Sequence, residues 1–212
     1  MTSSLLLYAA AVWVGFTAHE AAHAFCAHAL GDTTPRRQGR LSLWPHRHLS
    51  FWGSLVVPAL LLAVTGGRFA VLWARPVEIQ PGTMRLREPY ATAVVKLVGP
   101  ASNVVVAMLI CLGLAMLPYS APVLIRDALK AGIVANVTLA VLNSLPVWPL
   151  DGGALWLLLP MQPRLREVCE VTSALAMVGT VIVLPLLTPH DPFGAFLSRV
   201  VDVAFSIAYS VR

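Results

Sequence analysis

The chain has 212 residues, of which 58% are hydrophobic and only 12% charged, with a formal net charge of +5; its mean hydropathy is +0.75. A soluble globular domain carries about a quarter charged residues, so the composition excludes an ordinary soluble module and points to a polytopic membrane protein folded as one domain over residues 1–212. The arginines sit in short loops between apolar segments, which argues against a nucleic-acid surface and for the positive bias of cytoplasmic loops.

Ser4 to Leu30 reads as one long helix, stopped by Gly31-Asp32. It lacks a basic n-region and carries a chemical motif, so it is expected to be retained rather than cleaved as a signal peptide. The motif is His19-Glu20-Ala21-Ala22-His23. On a helix this spacing puts two imidazoles on one face, a turn apart, where both can bind one zinc ion. The glutamate between them can then act as general base on a zinc-bound water. The apolar run before it, from Leu5 to Phe16, places such chemistry within a bilayer.

Residues 31–48 are polar and basic, with a short alternating stretch at Arg40-Leu41-Ser42-Leu43-Trp44 that suits a strand. Residues 51–65 form an apolar helix interrupted by Pro58 and broken at Gly66-Gly67; 69–79, with Trp73-Ala74-Arg75-Pro76-Val77, looks extended. Ala91 to Leu117 is a clear spanning helix and Ala128 to Leu145 a further apolar one. A basic loop holds Arg164 and Arg166, Val168 to Leu187 spans again, and Phe193 to Val211 is a last span or an interfacial helix. Cys26, Cys111 and Cys169 all lie in apolar segments and read as small core residues. The expected fold is all-α, with about five to six apolar helices.

A zinc ion needs a third protein ligand and leaves its fourth position to water. His28 is rotated away from the His19/His23 face; His46, His48 and His190 lie in polar loops and read as ordinary polar residues. Asp151 differs. It follows Pro146 and Pro149, which break a helix and are tolerable at membrane depth only in a protein-lined cavity, and Gly152-Gly153 allow a tight turn behind it. It either caps the helix that follows or binds metal. A carboxylate at the bilayer edge is costly unless paired or metal-bound, and beside an HExxH the second reading is preferred.

These pieces resemble the site-2 proteases, the intramembrane zinc metallopeptidases. The resemblance rests on the HExxH at 19–23, on the run from Asn143 through Pro146 and Pro149 to Leu150-Asp151-Gly152-Gly153, and on Gly99-Pro100-Ala101-Ser102-Asn103. Gly31-Asp32, Gly39-Arg40-Leu41 and Trp73-Ala74-Arg75-Pro76-Val77 resemble further markers of its compact bacterial members. It covers roughly residues 10–160. One departure is His48-Leu49-Ser50-Phe51-Trp52-Gly53, where relatives often read His-x-Asp-Pro-x-Gly. The resemblance implies one zinc per chain held by His19, His23 and Asp151, with Glu20 as base and Asn143 contacting the substrate carbonyl or the oxyanion. It implies a catalytic core at about 4–160, C-terminal helices at 168–211, and regulated intramembrane proteolysis of a membrane-protein substrate.

For His19, His23 and Asp151 to meet at one depth, the first helix and the helix ending near Leu145 must point the same way. That requires residues 51–79 to enter and leave on one side, as a re-entrant helix–strand hairpin. Fifteen residues of helix cover only about 22 Å, short of a hydrocarbon core about 30 Å thick. The hairpin strand is then expected to pair with an unwound substrate. With this arrangement most arginines, Arg36 to Arg47 and Arg75 to Arg87 among them, fall on one side, which predicts a multi-pass plasma-membrane protein with an outside N-terminus and a site opening to the cytoplasm. The rival readings are a catalytically inactive metal-binding scaffold or transporter, and a zinc hydrolase acting on another membrane substrate.

Overall fold

The structure, a computed structural model, describes residues 2–64, 66, 73–183, 188 and 192–210. Seven α-helices are described: α1 (Thr2–Ala29), α2 (Thr34–Arg37), α3 (Val57–Val64), α4 (Tyr90–Met116), α5 (Val123–Ser144), α6 (Pro163–Met177) and α7 (Pro192–Ser210). A π-helical stretch, Phe51–Val56, leads into α3, and a 3-10 helix, Asp151–Leu158, follows α5.

Helix ends follow local chemistry. α1 stops at Gly31, whose φ of 112° suits glycine. The Gly31 amide donates to His28 O and the Asp32 amide to Ala27 O, the paired bonds that close a helix C-terminus. α5 stops at Leu145, which turns extended because Pro146 follows it.

The centre of the molecule is α1, α4 and α5. Going up α1, residues 15, 19 and 23 meet positions 103 and 95 of α4 in falling order, so the two helices are antiparallel. α4 and α5 are antiparallel as well: Asn103 bonds Asn136, while Cys111 and Leu114 pack on Ile133. α1 and α5 therefore run in the same direction, and the C-terminal ends of both lie at one end of the bundle. α7 adds Ala204, Phe205 and Ala208 to the α4/α5 seam.

Three expectations are overturned. Among the described residues only α4 and α7 are long and apolar enough to cross a membrane, not five to six helices. The reason lies in the sequence of the others. α1 carries His19, Glu20, His23 and His28; α5 begins with Arg126, Asp127 and Lys130; α6 holds Arg164, Arg166, Glu167 and Glu170; and the 51–64 helix is short.

The helix–strand hairpin near 51–79 is also absent as such: no strand occurs among the described residues, and 73–80 makes a single antiparallel bridge, Ala74 to Leu49. Side chains occupy the backbone groups that a ladder would use. Arg40 donates to Arg75 O and Pro76 O, both at 2.8 Å, and to Arg47 O. The Val77 amide donates to Glu20 and the Gln80 amide to Asp32. Pro76 has no amide to offer. The expected strand at 40–44 is replaced by turns, with the Ser42 amide bonded to Arg40 O. The hairpin tip, Arg68 included, lies outside the described residues, as does His190.

Candidate metal centre

α1 presents His19 and His23 one turn apart, their rings 4.7 Å between centroids and nearly perpendicular. Asp151 comes from the opposite side, at the head of the 3-10 helix after α5. It is placed there by successive tight turns: Val147 N to Leu145 O, Leu150 N to Val147 O and Gly153 N to Leu150 O. A Cβ at Gly152 would overlap the carbonyls of Leu145 and Ser144, so glycine is what lets this turn fold back on the helix end. Asp151 caps nothing; its side chain is spent on other side chains.

Asp151 Oδ2 lies 2.7 Å from His19 Nε2 and 3.0 Å from His23 Nε2. All three residues are buried, and their candidate ligand atoms lie within 4.8 Å of one another. The other ring nitrogens are committed. His19 Nδ1 donates to Asn103 Oδ1 and His23 Nδ1 to Val95 O, both at 2.6 Å. Those bonds assign the ring protons to Nδ1. Each Nε2 then turns a lone pair toward Asp151 Oδ2, which is itself an acceptor. These three atoms converge within 4.8 Å of one another on one buried point, a group that could hold a metal ion. A neutral imidazole pair and a carboxylate, each with its outer atom already bonded, is the donor set that suits zinc.

Asp151 Oδ1 is occupied separately. It accepts from Lys96 Nζ at 3.1 Å, so only Oδ2 faces the histidines. Lys96, the one cation in the apolar α4, thus meets a buried carboxylate. Glu20 is buried, and its Oε2 accepts from the Val77 amide at 3.2 Å. Segment 73–80 therefore lies against the carboxylate beside the two histidines. Among the side chains that hold that segment are Arg40, as above, and Asp32, whose Oδ1 and Oδ2 accept from the Thr34 and Gln80 amides at 2.8 and 2.6 Å. Burial alone would raise the Asp32 pKa, but these bonds and the nearby Arg37 charge outweigh it and hold the carboxyl below its ordinary value.

Gly99 of α4 faces the histidine pair. A Cβ there would overlap the imidazoles of both His23 and His19, so only glycine admits this approach. Asn143 has no hydrogen bond to these residues among the described contacts. Its Nδ2 donates to Leu139 O of its own helix at 3.0 Å. His46 lies in the exposed turn at 45–47. His28 Nδ1 bonds Asp32 O and His48 Nε2 bonds Ser42 O, so neither enters the centre. Three residues that do enter it, Lys96, Asn103 and Asn136, carried a legible signal as polar side chains in otherwise apolar helices. Asn136 lies seven residues before Asn143, on the same helix face.

Comparison with known proteins finds relatives named as zinc metalloproteases. The chain is 34% identical over 147 residues to a Bacillus subtilis (strain 168) protein named "Putative zinc metalloprotease YwhC", covering 66% of this chain and 62% of that one. It is 33% identical over 180 residues to a protein of Mycolicibacterium smegmatis named "Putative zinc metalloprotease Rip2", covering 81% of this chain and 62% of the relative. The Mycobacterium tuberculosis protein of the same name is 33% identical over 171 residues, 77% of this chain and 58% of the relative. The chain thus spans about three fifths of the length of these relatives. No family profile matches it, and no solved structure does.

Proposed function

The chain belongs to the site-2 protease family, and from that premise we propose that it is a zinc-dependent endopeptidase that cleaves a transmembrane or membrane-proximal peptide bond of a membrane protein. The observation that carries this reading is the meeting of His19, His23 and Asp151, from chain segments far apart, with their lone pairs turned on one buried point.

In this reading His19, His23 and Asp151 would hold one zinc ion, which would supply Lewis-acid activation of a water and polarisation of the scissile carbonyl. Glu20, adjacent to His19, is the general base that takes up a proton and passes it to the leaving amine. Lys96 keeps Asp151 turned by one oxygen toward the histidines. Asn143 contacts the substrate carbonyl or the oxyanion. Segment 73–80 holds Glu20 through the Val77 amide and sets its carboxylate in place.

The protein is proposed to be a multi-pass resident of the cell membrane, with α4 and α7 among its crossings. The C-terminal ends of α1 and α5, the start of α4 and the arginine-rich loops lie at one end of the bundle. The positive-inside bias makes that end cytoplasmic. Water then reaches the site from the cytoplasm, and the helical substrate must unwind locally to expose its carbonyl.

The test uses the full chain purified in detergent after zinc-replete growth, with cleavage of a membrane-protein substrate measured beside zinc content. Wild type should carry about one zinc. Glu20→Gln should keep the metal and lose about 10²- to 10⁴-fold in rate. Asp151→Ala should lose both metal and activity. Zinc absent from wild type, or zinc bound without cleavage, would leave the chain an inactive scaffold, and cleavage indifferent to Glu20→Gln would remove Glu20 as the base.

A further inference from the structure

We propose that Asn103 and Asn136 form a positioning relay that sets the tautomer and ring orientation of His19, so that His19 Nε2 presents its lone pair to the metal. The inference rests on the metal-binding reading above, and it concerns residues that do not touch the metal position themselves.

The relay can be followed atom by atom. Asn136 Nδ2 donates to Gly132 O of its own helix at 2.9 Å. That leaves Asn136 Oδ1 as an acceptor, and it receives Asn103 Nδ2 at 2.9 Å. Asn103 Nδ2 also donates to Gly15 O of α1 at 3.1 Å. Both amide hydrogens of Asn103 are therefore used, so its nitrogen cannot face His19. Asn103 Oδ1 must do so, and it lies 2.6 Å from His19 Nδ1. An oxygen at that position accepts and cannot donate, so His19 carries its proton on Nδ1. Flipping either amide would set donor against donor and acceptor against acceptor along the chain.

Burial makes the arrangement decisive. Asn103 is 0% and Asn136 1% exposed, so water is not there to substitute for a lost partner. The backbone is shaped around the relay as well. A Cβ at Gly15 would press on both Leu139 and Asn136. His23 has its own partner, Val95 O, which is backbone and needs no support. The two histidines are thus oriented by different means, and only His19 depends on side chains that a substitution can remove. Partners behind metal-binding histidines typically govern metal affinity about 10- to 100-fold.

The experiment is a chelator competition for zinc on the purified full chain, with the visible spectrum of the cobalt(II) form as a second readout. Asn136→Leu removes the acceptor that holds Asn103. It should weaken zinc binding about 10- to 100-fold and change the cobalt bands. Asn136→Asp, protonated in this buried place, keeps a carbonyl for Asn103 and a donor for Gly132 O. It should restore affinity to near wild type. Ile133→Ala, a buried packing change in the same helix, should lower thermal stability and leave the zinc constant and cobalt bands unchanged. Equal loss of affinity in Asn136→Leu and Ile133→Ala would overturn the relay, because general loosening of the bundle would then explain the effect. Unchanged affinity in Asn136→Leu with wild type metal-loaded would overturn it too. Absence of metal from wild type would instead overturn the metalloprotease reading and the relay with it.

Discussion

The metal centre and the polar end of the bundle are both built from buried polar side chains, yet they are held in opposite ways. In the centre, side chains meet side chains across α1, α4, α5 and the 3-10 helix: Asp151 faces His19 and His23 and accepts from Lys96, and His19 is linked through Asn103 to Asn136. At the polar end, side chains grip backbone: Arg40 holds three carbonyls, and Asp32 two amides. The first kind of network defines which atoms carry lone pairs and protons, which is chemistry. The second defines where a length of non-helical chain lies, which is position. They meet at a single bond, Val77 amide to Glu20.

The contrast can be broken most severely at Gly99. Gly99→Val should remove metal binding and activity nearly as completely as loss of a ligand, since its side chain would fill the space of both imidazoles. Displacement by about 1 Å already costs on the order of 10²-fold in rate. Zinc content and cleavage rate measure it; a metal-loaded, active Gly99→Val protein would show that α4 does not shape the histidine pair.

Arg40→Ala should give a smaller and different effect. It strips the charged donor from three carbonyls, each hydrogen bond to a charged group contributing about 1.5–3 kcal/mol. Limited proteolysis should open 40–48 and 73–80, and cleavage should slow, while zinc content stays at the wild-type value. If zinc is lost as well, the two networks are not separable.

The smallest effect belongs to Asp32. Its folded pKa lies below the ordinary carboxyl value of about 3.9. The stability it contributes is therefore present above that value and fades as pH falls through the lower folded pKa. Wild type should show an added rise in proteolytic opening of 31–48 in that acid range. Asp32→Asn, which keeps one acceptor oxygen and no charge, should be more open at neutral pH and lack the acid step. Identical acid profiles for the two would remove Asp32 from the latch.

Much of the centre was legible beforehand because its signals are local. HExxH needs only a helix to put two imidazoles on one face, and prolines before Asp151 with glycines after it read directly as a turn that aims a carboxylate. Extended sequence resembles strand sequence, so 69–79 reads as a hairpin strand, whereas a strand exists only if a neighbour supplies a ladder. Arg40, Asp32 and Glu20, up to 57 residues away from the segment they hold, took those backbone groups first. The number of spans was overcounted for a related reason. Apolar stretches with interspersed histidines and arginines look like spans until the polar residues are weighed against helix length.

By itself, then, the sequence determined the candidate ligand types, the helix that presents two of them, the acidic residue between them and the breaks that deliver the third. Those follow from periodicity and backbone stereochemistry within a few residues. Tertiary structure alone decided which atoms complete the site: that Lys96 takes the second oxygen of Asp151, that Val77 meets Glu20, and that Asn136 acts on His19 through Asn103. Such choices depend on which lone pairs and hydrogens remain unpaired once three helices pack. No run of residues specifies that before they meet.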